Sequence, residues 1–93
     1  MSRVSAVVAR RKVSGLALSK IGTGIGAGEP EHIMSRDRIV WRVPLFLALP
    51  GLGHLGDVGT IDVDAQSGEV LADDDLIELF IRNARQLAPR PAS

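Results

Sequence analysis

Hydrophobic residues recur at two periods along the chain, and each period predicts its own kind of element. Over residues 5–21, Ala9, Val13, Leu16, Ala17 and Ile21 fall at three- and four-residue spacing while Arg10, Arg11, Lys12, Ser14 and Lys20 lie mostly elsewhere, which predicts an amphipathic helix. Gly15 weakens that helix by about 1 kcal/mol relative to Ala, and the Val4, Ala6, Val8 alternation also suits the start of a strand. Residues 21–30, IGTGIGAGEP, carry four glycines spaced by two and predict a loop. His32, Ile33 and Met34 then form one arm of a hairpin and residues 38–49 the other, with Ser35, Arg36 and Asp37 at the turn.

In the longer arm Ile39, Trp41, Val43, Leu45 and Leu47 share the core face, and Val40, Arg42, Pro44, Phe46 and Ala48 share the opposite one. Pro44 has no amide hydrogen for a ladder, so an edge strand or a bulge is expected there. Residues 50–59, PGLGHLGDVG, predict a glycine-punctuated connection that carries Leu52 and Leu55 outside regular structure. Residues 58–64 alternate again with Ile61 and Val63 inward, and residues 65–68 turn the chain back into Glu69, Val70 and Leu71.

Asp73, Asp74 and Asp75 open the clearest helix, which runs to about Ala88 with Leu76, Ile77, Phe80, Ile81, Ala84 and Leu87 on a broad apolar stripe. The carboxylates at its start and Arg82 and Arg85 further on complement the helix dipole, and Asp75 with Glu78 has the spacing of a capping box. The expected fold is α+β: an N-terminal helix, a small antiparallel β-meander of three to four strands, and a C-terminal helix packed on the sheet. Residues 1–88 form one domain, and residues 89–93, with Pro89 and Pro91, a disordered tail.

Composition narrows the function classes without choosing one. The three aromatics, Trp41, Phe46 and Phe80, leave the core to be filled by Val, Ile, Leu and Ala. No cysteine is present, which excludes disulfides, thiolate nucleophiles and Cys-based zinc sites and fits a cytoplasmic chain. Arg10, Arg11 and Lys12 interrupt the first apolar residues too early for a secretory signal, and the uncharged residues 43–56 are too short and too rich in Pro and Gly to span a bilayer. Net charge is zero, yet residues 1–20 hold five cations and no acid while residues 51–93 hold eight acids against three arginines.

Several chemical patterns fail on their spacing or their context. The basic first helix lacks Asn, Gln or aromatic residues for base contacts, so nucleic acid is an unfavoured partner. Gly22, Gly24 and Ala27 match a loose dinucleotide pattern, but a helix precedes them where a strand is required. Asp62, Asp64 and Gln66 imitate the opening of a calcium loop whose sixth position is Ser67, eighth Glu69 and twelfth Asp73, against the required Gly, apolar residue and Glu. Asp62 and Asp64 also resemble a phosphoryl-transfer pair, without the chain length for its supporting fold. His54 stands alone among glycines and His32 offers only a second unpaired candidate, so the two do not form a metal-ligand set.

The segment Val63-Asp64-Ala65-Gln66-Ser67-Gly68-Glu69-Val70-Leu71 resembles the end of a PepSY domain, where a strand closes on V-D-A-x-T/S-G-E-V/I-L after an earlier aromatic strand, here Trp41-Arg42-Val43 with Leu45. The resemblance spans about residues 5–72, and its specific part is that nine-residue turn. It implies a helix packed on a small antiparallel sheet and a role as a regulator of peptidases or an interaction module, in proteins that are mostly exported or membrane-attached. The chain departs from the pattern in lacking an export signal, in its glycine-rich residues 49–59, and in the helix after Leu71.

The expected function is therefore a non-catalytic interaction or regulatory module, with no cofactor. A homodimer, or a complex with another protein, is expected to form through Pro44, Phe46, Leu52 and Leu55, apolar residues that one chain's core does not require. The alternative is a small metal- or ligand-binding protein that uses Asp62, Asp64 and Glu69 or the space beneath Leu52 and Leu55.

Overall fold

Ser5, in an extended conformation, accepts a hydrogen bond from the Val8 amide and starts helix α1 (Ala6–Lys20). This computed structural model describes residues 3–89. The first helix buries Ala9, Val13 and Ala17 completely, the small side chains of the predicted stripe, and leaves Val7 and Leu18 exposed on its far side. Strands β1 (Ile25–Ala27), β2 (Glu31–Ser35), β3 (Arg38–Leu49), β4 (Gly53–Asp64) and β5 (Val70–Leu71) follow, and helix α2 (Asp74–Leu87) completes the order. The fold is the expected α+β arrangement, with five strands in place of three to four.

β3 is the axis of the sheet. β4 pairs antiparallel along its whole length on one side, and β5 continues outward from β4. On the other side β2 and β1 lie end to end, β2 against residues 38–42 and β1 against residues 45–47. β3 and β4, 12 residues each, are the longest elements of the sheet.

Pro44 thus lies in the central strand and not at an edge. The Pro44 carbonyl accepts from Gly28 N at 2.8 Å, and Gly24 O accepts from Ala48 N, so the even residues of this half of β3 face β1. The amide hydrogen that proline lacks would have pointed at the break between β1 and β2, where it has no strand partner to lose. Residues 21–30 are likewise more than a loop, because Ile25, Gly26 and Ala27 pair with Leu47, Phe46 and Leu45. A side chain at Gly26 would meet the Phe46 ring, so glycine here admits the ring and does not break the strand.

Both helices cover one face. Trp41, Val43, Leu45 and Leu47 of β3 and Ile61 and Val63 of β4 meet Ala9, Val13 and Ala17 of α1 and Phe80 of α2 in a single core. Trp41 Nε1 donates to Val4 O, Lys12 Nζ to Gly68 O, and Arg10 Nε to the Ala27 carbonyl that the β1–β3 ladder leaves free. The cap of α2 is Asp73, whose carboxylate accepts from Leu76 N, two residues before the Asp75 that the capping-box spacing points to. Of the expected tail, residues 90–93 lie outside the described residues.

Candidate interaction surface

The face of the sheet turned away from the helices carries the residues that alternation set opposite the core. Cross-strand pairing places Arg42 beside Asp62, Pro44 beside Thr60, and Phe46 beside Asp57 on that face. Its two halves differ in chemistry. In the half near the β2–β3 turn, Arg42 grips Asp62 through two bonds, Nε to Oδ1 at 2.9 Å and a second guanidinium nitrogen to Oδ2 at 3.0 Å. Arg38 stands 3.4 Å from Asp64, and Val40 between the two arginines is 1% exposed. The aliphatic stems of the arginines and their ion pairs finish this half of the sheet without a second layer.

The electrostatics follow from these contacts. Asp64 Oδ1 accepts from the backbone amides of Gln66 and Ser67, and those bonds, aided by Arg38, hold its carboxyl below the usual carboxylate value. The Asp62 hydrogen bond and charge raise Arg42 further above its ordinary value. Asp62 and Asp64, whose spacing suits metal ligands or an acid and a nucleophile, therefore have their oxygens engaged by arginine and by their own turn. Among the described residues no group of three His, Asp or Glu gathers to hold a metal ion.

The other half is apolar. The Phe46 ring lies across Gly26 of β1, its centroid 5.1 Å from that of His54 on β4, and Pro44 contacts the position of a Gly28 side chain. Pro44 and Phe46 come together on this face, as alternation requires. Leu52 sits in the turn between β3 and β4, its amide bonded to Leu49 O and its side chain 56% exposed.

Leu55 departs from this group. β4 begins at Gly53, so residues 53–59 are strand and not a connection, and two bulges lie in the β3–β4 ladder. The pairing shifts once between Leu45 and Phe46, leaving Val58 as the extra residue, and again between Leu47 and Ala48, leaving Leu55 as the extra residue. Both extra side chains turn to the helix side, where Val58 is 2% exposed and Leu55 packs against the core. His32 and His54 end on opposite faces, the His32 ring tilted against Trp41 on the helix side with centroids 4.8 Å apart.

A cleft that no sequence pattern announced lies on the helix side, between the end of α1 and α2. It measures about 250 Å³ and is lined by Ile21, Ile25, Leu47, Leu49, Ile81 and Ala84. These residues come from the end of α1, from β1 and β3, and from α2. No protein-family model, curated protein or solved structure matches the chain.

Proposed function

We propose that the chain is a non-catalytic, PepSY-like interaction module that self-associates through the outer face of its sheet around Pro44 and Phe46, with Leu52 of the adjoining turn at the margin. The observation that carries this reading is the position of Phe46, a large aromatic on the sheet face opposite both helices, with a proline beside it and, among the described residues, no layer above it. The paired arginines and aspartates at the other end of the same face would set the register of a second copy, because charge fixes orientation better than it adds affinity.

Sedimentation velocity at micromolar concentration tests the proposal. The wild-type chain is expected to sediment as a dimer, and Phe46→Glu and Leu52→Glu as folded monomers. A monomeric wild-type chain refutes it.

A second reading, a binder of small apolar ligands, draws on the cleft between α1 and α2. At about 250 Å³ that space lies just below the roughly 300 Å³ at which small-molecule pockets begin. A fluorescent apolar probe displaced by Ala84→Trp supports this reading, and a probe that binds equally well to the filled variant removes it.

A further inference from the structure

β5 has a strand partner on one side only, and its free side borders a shallow, open groove. Asp64 N donates to Glu69 O, and Asp62 faces Leu71 in the same register, so these residues spend their backbone groups on the β4–β5 ladder. By the alternation of an antiparallel pair, Val70 and Ala72 between and beyond them turn their N–H and C=O groups outward. The groove they face has a volume of about 670 Å³ and lies between β5 and the first turns of α2. Leu76 and Leu79 form its apolar wall, and Leu79 is 40% exposed. Glu69, Asp73 and Asp75 rim it.

The charge of this rim is not balanced within the fold. Glu69, Asp73 and Asp75 form no ion pair among the described residues, and the basic α1 spends Arg10 on Glu29 and Lys12 on the Gly68 carbonyl. Three of the eight acids of residues 51–93 thus lie beside the unpaired side of β5.

We propose that this groove captures an extended basic segment of a partner protein as an added strand on β5. The segment bonds to Val70 and Ala72 through its backbone, lays apolar side chains on Leu76 and Leu79, and presents lysine or arginine to Glu69 and Asp75. A second copy of this chain is a poor occupant, because two-fold pairing of β5 with itself sets Glu69 and Asp73 against the same acids of the partner. The remaining free side of β4 is not an equivalent site. It is distorted by bulges at Val58 and Leu55, and Asn83 Nδ2 donates to the Val58 carbonyl. The proposal is independent of self-association, which uses the other face of the sheet.

The test uses three synthetic peptides with the full chain. They are an alternating lysine–valine hexapeptide, its glutamate–valine counterpart, and the lysine–valine peptide N-methylated at alternate residues to remove its backbone donors. Fluorescence anisotropy and amide chemical shifts are read together. The lysine–valine peptide is expected to bind saturably and to shift the Val70 and Ala72 amides. The N-methylated and glutamate peptides, and the Glu69→Lys and Leu79→Ser variants, are expected to weaken binding about tenfold or more. Both substituted side chains are exposed, so neither variant threatens folding. Absence of saturable binding overturns the proposal. So do undiminished binding of the N-methylated or glutamate peptide, and shifts confined to the face around Phe46.

Discussion

Phe80 of α2 rests directly on Gly59 of β4, so closely that a Cβ on the glycine would overlap the aromatic ring. Gly59 lies opposite Leu45, and Phe80 is 3% exposed, so this contact seats the second helix in the centre of the core. Gly59→Ala is expected to destabilise the chain by about 1–3 kcal/mol through overpacking, and Phe80→Ala by about 3–5 kcal/mol through the lost ring. Because alanine at position 80 makes room for the added methyl, urea denaturation of the double variant should show a loss well below the sum. Strict additivity would contradict the contact.

Gly15 presents the opposite case. It lies in the exposed middle of α1, and a Cβ there would have nothing within 4 Å. Gly15→Ala is accordingly expected to raise stability by about 0.5–1 kcal/mol, through the backbone entropy that glycine loses on entering a helix. A thermal melt that moves downward on this substitution would mean that the helix face is engaged by something that needs the glycine.

Asp64 gives the fold an acid-sensitive turn. Its carboxyl is held below the usual value chiefly by the Ser67 and Gln66 amides, so the stability it contributes is fully present above the unfolded carboxylate value and is lost as pH falls through the lower folded one. Wild-type stability should therefore fall as pH drops below about 4, and Asp64→Asn should fall less over the same interval. Equal acid slopes from chemical denaturation would show that the turn does not depend on the carboxylate.

Trp41 ties the chain before α1 to the sheet, its Nε1 donating to Val4 O at 2.8 Å while Val4 N donates to Ala65 O. Trp41→Phe retains most of the ring surface and removes that one bond, at an expected loss of about 1 kcal/mol. Hydrogen exchange should rise first in the opening turn of α1, and a uniform rise across the chain would place the loss elsewhere.

What the sequence discloses follows from how local each cause is. The Ala9, Val13 and Ala17 spacing and the alternation of β3 are properties of one element, and the fold keeps both from Trp41 to Leu47, while Ile39 lies outside the core and Val40 on the opposite face is buried. Strand β1 stays hidden because its glycine, Gly26, satisfies a neighbour, the Phe46 ring, that only the folded chain brings near. Pro44 points to an edge because a single strand's sequence does not show that its neighbour is two strands with a break between them. In the site, Pro44 and Phe46 are legible as companions by parity. Leu55 is not, because its flanking glycines read as a connection, and the two bulges turn Leu55 and Val58 to the same face across an odd spacing that no two-residue period produces. The β5 groove is illegible for a further reason, because it depends on which side of α2 overhangs the end of the sheet.

The break between β1 and β2 also bears on solubility. One uninterrupted strand along that side of β3 would expose a long straight row of unpaired backbone groups, a template on which other chains could stack into fibrils. Divided at Gly28, Glu29 and Pro30, the border offers a five-residue piece and a three-residue piece, and the shorter already has its Ala27 carbonyl taken by Arg10. The interruption between β1 and β2 thus shortens the border on which another chain could stack.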